Sequence, residues 1–176
     1  WIGGAIWNRD ESLILTWSQD GSARVWDATN GTERLRLNHN DWVRGAVWNE
    51  DESLILTWSQ DGTTRVWEME NGAEKLRLNH DGWVFGAAWS QDESLILSWS
   101  LDGTARVWDV NNGTELLHLR HNGWVYGATW YENESLFLTW SYDNTIRVWN
   151  ANSGDEKMHL SHDNQVYGVI ENKDES

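Results

Sequence analysis

Sixteen tryptophans fall on one ruler. They stand at 1, 42, 83 and 124; at 7, 48, 89 and 130; at 17, 58, 99 and 140; and at 26, 67, 108 and 149. Every series advances by 41 residues without an insertion or deletion. A period of that size marks a solenoid, array or propeller, in which one unit cannot bury its own apolar face and neighbours must stack on it. The units run 1–41, 42–82, 83–123 and 124–164, and residues 165–176 begin a fifth, so the chain reads as a single array over 1–176.

Within a unit the pattern is β throughout. In the second, Trp-Val-Arg-Gly-Ala-Val-Trp (42–48) is strand-like and the polar turn Asn-Glu-Asp-Glu-Ser (49–53) closes it. Leu-Ile-Leu-Thr-Trp-Ser (54–59) leads into Gln60-Asp61-Gly62, Thr-Thr-Arg-Val-Trp (63–67) into the turn Asn71-Gly72, and Lys-Leu-Arg-Leu (75–78) completes the unit. Asp-Gly and Asn-Gly between β-rich runs are strong hairpin signals, because the turn residues need positive φ. No segment carries a 3.6-residue apolar stripe of helical length. Each unit is therefore expected to be a four-stranded antiparallel meander, strands a to d. Leu54, Leu56 and Trp58 share one face of strand b, and Ile55 and Thr57 the other. A buried indole removes roughly 150–250 Å² from water, and its repetition is what holds a chain with no proline and no cysteine together.

Composition narrows the function. Lys+Arg number 13 against 28 Asp+Glu, a net charge of −15, which repels phosphate backbones and anionic lipid, so neither nucleic acid nor membrane is an expected partner. The absence of cysteine removes disulfides, zinc knuckles and thiolate nucleophiles. No apolar run approaches the roughly 20 residues of a membrane span. The chain opens Trp-Ile-Gly, without an initiator Met or a visible signal peptide, and its expected location is cytoplasmic. Neither a cofactor nor a metal is called for: the acidic a–b turns, such as Asp51-Glu52-Ser53 and Asp92-Glu93-Ser94, lack calcium-loop spacing and read as a solvated rim. Asn30-Gly31-Thr32, Asn112-Gly113-Thr114 and Asn133-Glu134-Ser135 match the glycosylation pattern, but the first two restate the Asn-Gly turn.

Strand c ends Arg-Val-Trp-Asp at 24–27 and 106–109, Arg-Val-Trp-Glu at 65–68 and Arg-Val-Trp-Asn at 147–150. Strand b runs into Ser-Gln-Asp-Gly (18–21, 59–62), Ser-Leu-Asp-Gly (100–103) and Ser-Tyr-Asp-Asn (141–144), and a histidine precedes strand a at 39, 80, 121 and 162. At this period the chain resembles the WD-repeat β-propeller family over essentially its whole length. It departs in three places. The usual Gly-His reads Asn38-His39, Asn79-His80, Arg120-His121 and Ser161-His162; the a–b turn has no proline; and a tryptophan fills strand b where a small residue is common. The resemblance implies an all-β propeller with four four-stranded blades per chain.

It also implies a hydrogen-bonded tetrad in each blade: His39, Asp61 and Trp67; His80, Asp102 and Trp108; His121, Asp143 and Trp149. The fourth member, a strand-b hydroxyl, is Thr57 or Ser59, Ser98 or Ser100, and Thr139 or Ser141 in turn. A Ser, His and Asp in one cluster also suggest a hydrolase. The cluster recurs in every unit, however, and no nucleophile elbow accompanies it, so no catalytic residue is assigned.

The ends do not match a closed ring. Blade 1 carries Asp20 and Trp26 but no histidine, while His162 has no Asp or Trp downstream. Residues 165–170 repeat strand a, with Gln165 and Glu171 where unit 1 has Trp1 and Trp7. Two chains closing head to tail about a two-fold axis make an eight-bladed ring in which His162 of one completes blade 1 of the other. An excerpt of a longer propeller and a closed four-bladed ring are the alternatives.

Positions that vary between units mark a tunable surface. Gly3, Arg44, Phe85 and Tyr126 are equivalent, as are Gln19, Gln60, Leu101 and Tyr142. In the family these places resemble the rim around the central opening. Trp42, Arg44, Trp83, Phe85, Leu101, Trp124, Tyr126 and Tyr142 are thus the candidate partner-binding rim, against the alternative that they pack between blades. The expected function is a non-catalytic scaffold recognising a protein or small ligand. Units this alike resemble arrays attached to bacterial signalling ATPases, where the propeller senses a ligand; a purely architectural module is the other reading.

Overall fold

The structure, a computed structural model, describes residues 1–131 and 135–169. The Asn133-Glu134-Ser135 sequon, Ile170 and Glu171 lie wholly or partly outside the described residues. Sixteen strands and no helix are found among them.

Unit 1 forms β1 (Ile2–Trp7), β2 (Leu13–Ser18), β3 (Ser22–Asp27) and β4 (Glu33–Asn38). Unit 2 forms β5 (Val43–Trp48), β6 (Leu54–Ser59), β7 (Thr63–Glu68) and β8 (Glu74–Asn79). Unit 3 supplies β9 (Val84–Trp89), β10 (Leu95–Ser100), β11 (Thr104–Asp109) and β12 (Glu115–Arg120), and unit 4 β13 (Val125–Tyr131), β14 (Leu136–Ser141), β15 (Thr145–Asn150) and β16 (Glu156–Ser161). Each set is an antiparallel sheet in chain order, a to d. The b–c turns place Gly21, Gly62 and Gly103 at φ 82°, and Asn144, one of the few non-glycine types that tolerate this region, holds the place at φ 67° in unit 4.

The strand-b tryptophans are accommodated by glycine. Trp99 lies across Gly86 so closely that a Cβ there would stand 2.0 Å from Trp99 Cζ2, and Trp58 over Gly45 and Trp140 over Gly127 repeat the arrangement. The side chain that departs from the family pattern therefore fills space that strand a leaves empty, and strand a is irregular beside it, with the register shifting between Val43 and Gly45.

The core lies between sheets. Leu15, Val25 and Leu37 of blade 1 meet Val43, Ala46, Trp48, Ile55 and Trp67 of blade 2. Leu56, Val66 and Leu78 meet Ala87, Ile96 and Trp108, and Leu97, Val107 and Leu119 meet Val125, Ala128, Phe137 and Trp149. Alternation along strand b sends Ile55 back to blade 1 and Leu56 on to blade 3, which is the period-two rule applied to a sheet buried on both faces. Successive strands a approach one another, β1 to β5, β5 to β9 and β9 to β13, so they line the inner side and strands d the outer.

The acidic a–b turns do more than face solvent. Glu52 (φ 61°) accepts from Asn8 Nδ2 at 3.1 Å and from the Arg9 backbone N–H of the preceding blade. Glu93 (φ 58°) does the same to Asn49 Nδ2, at 3.0 Å, and to the Glu50 N–H. The expected solvated rim is corrected at these two residues: they latch adjacent blades, their carboxylates accepting from an asparagine side chain and a backbone N–H of the preceding blade.

The array is open. At one end Ile2 is 68% and Trp7 56% exposed, where their equivalents Val43 and Trp48 are 3% and 9%. At the other, Leu160 is 44% exposed where Leu37 and Leu78 are 0% and 1%. A four-bladed ring closed on itself is thereby excluded for the chain as folded here. Residues 165–169, expected to begin another strand a, form no strand.

Candidate functional site

The turn between strands d and a carries the tetrad histidine across to the next blade. The His39 backbone N–H bonds Gly21 O of blade 1 at 2.8 Å, and its imidazole enters blade 2. There Nδ1 lies 3.0 Å from Asp61 Oδ2 and Nε2 2.8 Å from Thr57 Oγ1, while Trp67 Nε1 donates to the same oxygen at 2.8 Å. His80, Asp102, Ser98 and Trp108 repeat this at 3.1, 2.8 and 2.8 Å, and His121, Asp143, Thr139 and Trp149 at 3.1, 2.7 and 2.8 Å. The choice left open in the sequence falls on Thr57, Ser98 and Thr139. Ser59 and Ser141 instead donate to the carbonyls of Asp41 and Gly123 at the head of strand a.

One proton order satisfies every atom. The indole N–H donates to the hydroxyl, the hydroxyl to Nε2 of a neutral imidazole, and Nδ1–H to the carboxylate. Electrostatics agree with it. The three ring side chains are 0% exposed, and burial lowers the pKa of His39, His80 and His121 despite the facing aspartates. Burial alone would raise Asp61 and Asp102, but hydrogen bonds from the histidine and the following Thr63 or Thr104 outweigh it and hold both well below the usual carboxylate range. Asp143 is lowered to about 2, burial being outweighed there by hydrogen bonds from the Thr145 hydroxyl and the Asn122 N–H.

Sequence reasoning missed the arginine in this network. Arg65 Nη2 donates to Asp61 Oδ2 at 2.8 Å, Nε to Thr63 Oγ1 at 2.9 Å, and Nη1 to Glu74 at 3.1 Å, with its guanidinium 5.8 Å from the Trp67 ring centroid. Arg106 and Arg147 stand the same way beside Asp102 and Asp143. The signal was present in the repeated Arg-Val-Trp and in the hydroxyl two places after each turn Asp, but alternation alone would point this arginine at solvent. The Ser98–His80–Asp102 connectivity matches that of a catalytic triad. Ser98 is 0% exposed and its oxygen already accepts an indole N–H, so no substrate carbonyl can reach it.

Blade 1 differs. Trp26 Nε1 donates to Thr16 Oγ1 at 2.8 Å and Arg24 pairs with Asp20 at 2.5 Å, but no imidazole is there. Asp20 is 47% exposed at its side chain, against 4%, 7% and 9% for Asp61, Asp102 and Asp143. His162 is exposed at the far end.

The rim residues gather at the blade end where strand a begins and strand b finishes, since the backbone N–H groups of Gln60, Leu101 and Tyr142 bond the carbonyls of Trp42, Trp83 and Trp124. Trp124 and Tyr142 stack with centroids 5.2 Å apart, Tyr126 lies 6.2 Å from Tyr142 and 5.7 Å from Phe85, and Arg44 sits 5.3 Å over Phe85. Trp42, Trp83 and Trp124 are 42–44% exposed, and Trp83 and Leu101 border a cleft of about 410 Å³. Arg44 to Tyr142 thus form one continuous crescent. Tyr142 is 46% exposed, so Tyr142→Ala should cost about 1 kcal/mol, a fall of about 2–4 °C in Tm by calorimetry.

Among the described residues no helix is long and apolar enough to cross a membrane. The chain resembles the crystal structure of the computationally designed Ika8 protein, with a TM-score of 0.79 and 21% identity over 92% of this chain and 50% of that one. It thus spans half the length of that protein, and the likeness is one of fold alone. No curated protein matches the sequence. The family model described as "WD domain, G-beta repeat" matches three times, at 31–68, 74–109 and 113–150. Each match encloses a histidine, the Asp it bonds and the Trp whose indole shares its hydroxyl, and leaves out Asp20, Trp26 and His162. Tetrad geometry and family model thus divide the chain at the same places, and the chain belongs to the WD40 repeat family.

Proposed function

We propose that the chain is one half of an eight-bladed ring whose aromatic crescent recognises a protein or small ligand, without catalysis. WD40 repeat propellers generally serve as protein-interaction scaffolds, and every Ser/His/Asp cluster described is sealed from solvent. The observation that carries the reading is the pair of bare sheet faces. Each displays one half of the interface built three times inside the chain: Ile2, Trp7 and Ile14 at the front, Leu138, Val148 and Leu160 at the back. A second copy is the occupant these faces fit, since back on front would set Leu138, Val148 and Leu160 against Ile2, Trp7 and Ile14 as Leu15, Val25 and Leu37 lie against Val43, Trp48 and Ile55. Soluble monomers rarely expose contiguous apolar patches beyond a few hundred Å². Half of the Ika8 chain remains unmatched after one copy is overlaid, which is the length a second copy supplies.

The four units and residues 165–176 then act as one array, with the crescent present twice about the two-fold axis. Aromatic side chains with one arginine are the composition of interface hot spots. The sensor part of a signalling protein is one setting for such a surface. The likeness to a designed protein favours a second reading, a purely architectural module with no ligand. Native mass spectrometry and sedimentation should give a mass near twice 20.4 kDa. A compact, stable monomer would overturn the ring, and a screen of proteins and small molecules that binds nothing at the crescent would favour the architectural reading.

A further inference from the structure

Four histidines are held by the same backbone bond. The N–H of His39 meets Gly21 O at 2.8 Å, that of His80 Gly62 O at 2.8 Å, that of His121 Gly103 O at 2.9 Å, and that of His162 Asn144 O at 2.9 Å. Three of these then project the imidazole forward into the next blade. His162 is anchored identically and has no next blade within the chain. Conversely, blade 1 possesses every tetrad group except the imidazole: the Thr16 hydroxyl already bonded by Trp26, the Asp20 carboxylate, and Arg24 bonded to Ser22 and Asp20. Its carboxylate stands half in solvent for want of that ring.

Resting on the ring proposed above, we infer that His162 is a latch supplied in trans: its Nδ1–H donates to Asp20 of the second copy and its Nε2 accepts from that copy's Thr16. The connection has the right length. In the interior, two residues separate His39 from Trp42 at the head of strand a; in the ring, Asp163 and Asn164 follow the path of Asn40 and Asp41, and the partner already fills the next place with its own Trp1. Residues 165–169 must therefore leave the blade, which accords with their forming no strand. Gln165 stands where the units have tryptophan, so the departing segment does not compete for the core. Two latches form per ring, one at each junction.

His162 is exposed in the single chain, so His162→Ala should leave the circular dichroism spectrum and the fold of each half unchanged. It should raise the dimer dissociation constant by about tenfold or more, measured by sedimentation over a concentration series. Thr16→Val should weaken the dimer similarly, and the double variant should be little worse than either single one, because both remove the same bond. A dimer as tight in His162→Ala as in the unaltered chain, or losses that simply add in the double variant, would overturn the latch while leaving the ring intact. An unaltered chain that stays monomeric at every concentration would overturn both.

Discussion

Replacing Asp102 with alanine should lower stability by about 3–5 kcal/mol, the cost of stranding a buried partner of opposite charge, and so lower Tm by roughly 6–20 °C in a chain of this length. Asp102 accepts from His80 Nδ1, the Asp81 N–H, the Thr104 N–H and hydroxyl, and Arg106, whose side chain is only 9% exposed. Without the carboxylate all five donors lose their acceptor at once. The same network sets the response to acid. His39, His80 and His121 have folded pKa values lowered by burial, so below the unfolded value of about 6.5 the unfolded chain binds more protons than the folded one. Stability therefore falls as pH drops below about 6.5, by up to about 4 kcal/mol per pH unit where all three contribute. The aspartates add a second loss. Their folded values are depressed, so their stabilisation is full above the unfolded value of about 3.9 and disappears as pH falls toward about 2, the value of Asp143. Urea titrations at intervals from pH 7.5 to 3 should show the midpoint falling from near pH 6.5 in the unaltered chain, and a shallower fall in Asp102→Ala only below about pH 3.9, where the depressed aspartate no longer contributes. A midpoint independent of pH between 7 and 5 would contradict a neutral, buried imidazole.

Gly86→Ala should be nearly as damaging, although it adds one methyl group. Its Cβ would stand 2.0 Å from Trp99 Cζ2 and 2.4 Å from Cε2, distances no side chain tolerates, and an indole packed between sheets cannot swing aside freely. Overpacking of this kind costs about 1–3 kcal/mol and occasionally more. We expect about 3 kcal/mol, or a fall of roughly 6–12 °C in calorimetry. The diagnostic is the pair: Gly86→Ala combined with Trp99→Leu should lose less than the sum of its parts, since the smaller strand-b side chain makes room for the methyl. Strict additivity would mean that the two do not share the space.

How much of this was legible in the residues differs from group to group. The 41-residue period and the β pattern of each unit follow from local chemistry, because turn residues and alternation act within a few positions of themselves, while the His–Asp–Trp grouping was implied by the resemblance to the WD-repeat family. The hydroxyl of the tetrad was not legible: Thr57 and Ser59 lie on the same side of one strand, and only the placement of strand c, which carries Trp67, and of the d–a turn, which carries His39, brings Thr57 within 2.8 Å of both an imidazole and an indole. Arg65 was overlooked for a related reason. Its burial depends on Glu74 and Asp61 converging from two other segments, which no single strand records. The latch made by Glu52 and Glu93 rests on a left-handed backbone at a glutamate, a conformation the residue type itself disfavours.

The sequence by itself therefore determined the repeat and the sheets, since both are properties of a segment about 40 residues long acting on itself, and its resemblance to the family supplied the residue types of each tetrad. Only the tertiary structure decided which face of a sheet meets which neighbour, which oxygen joins the histidine, and that the two end sheets lie bare. Those are relations between units identical in kind, and a repeating pattern carries no information about where its copies stop meeting one another.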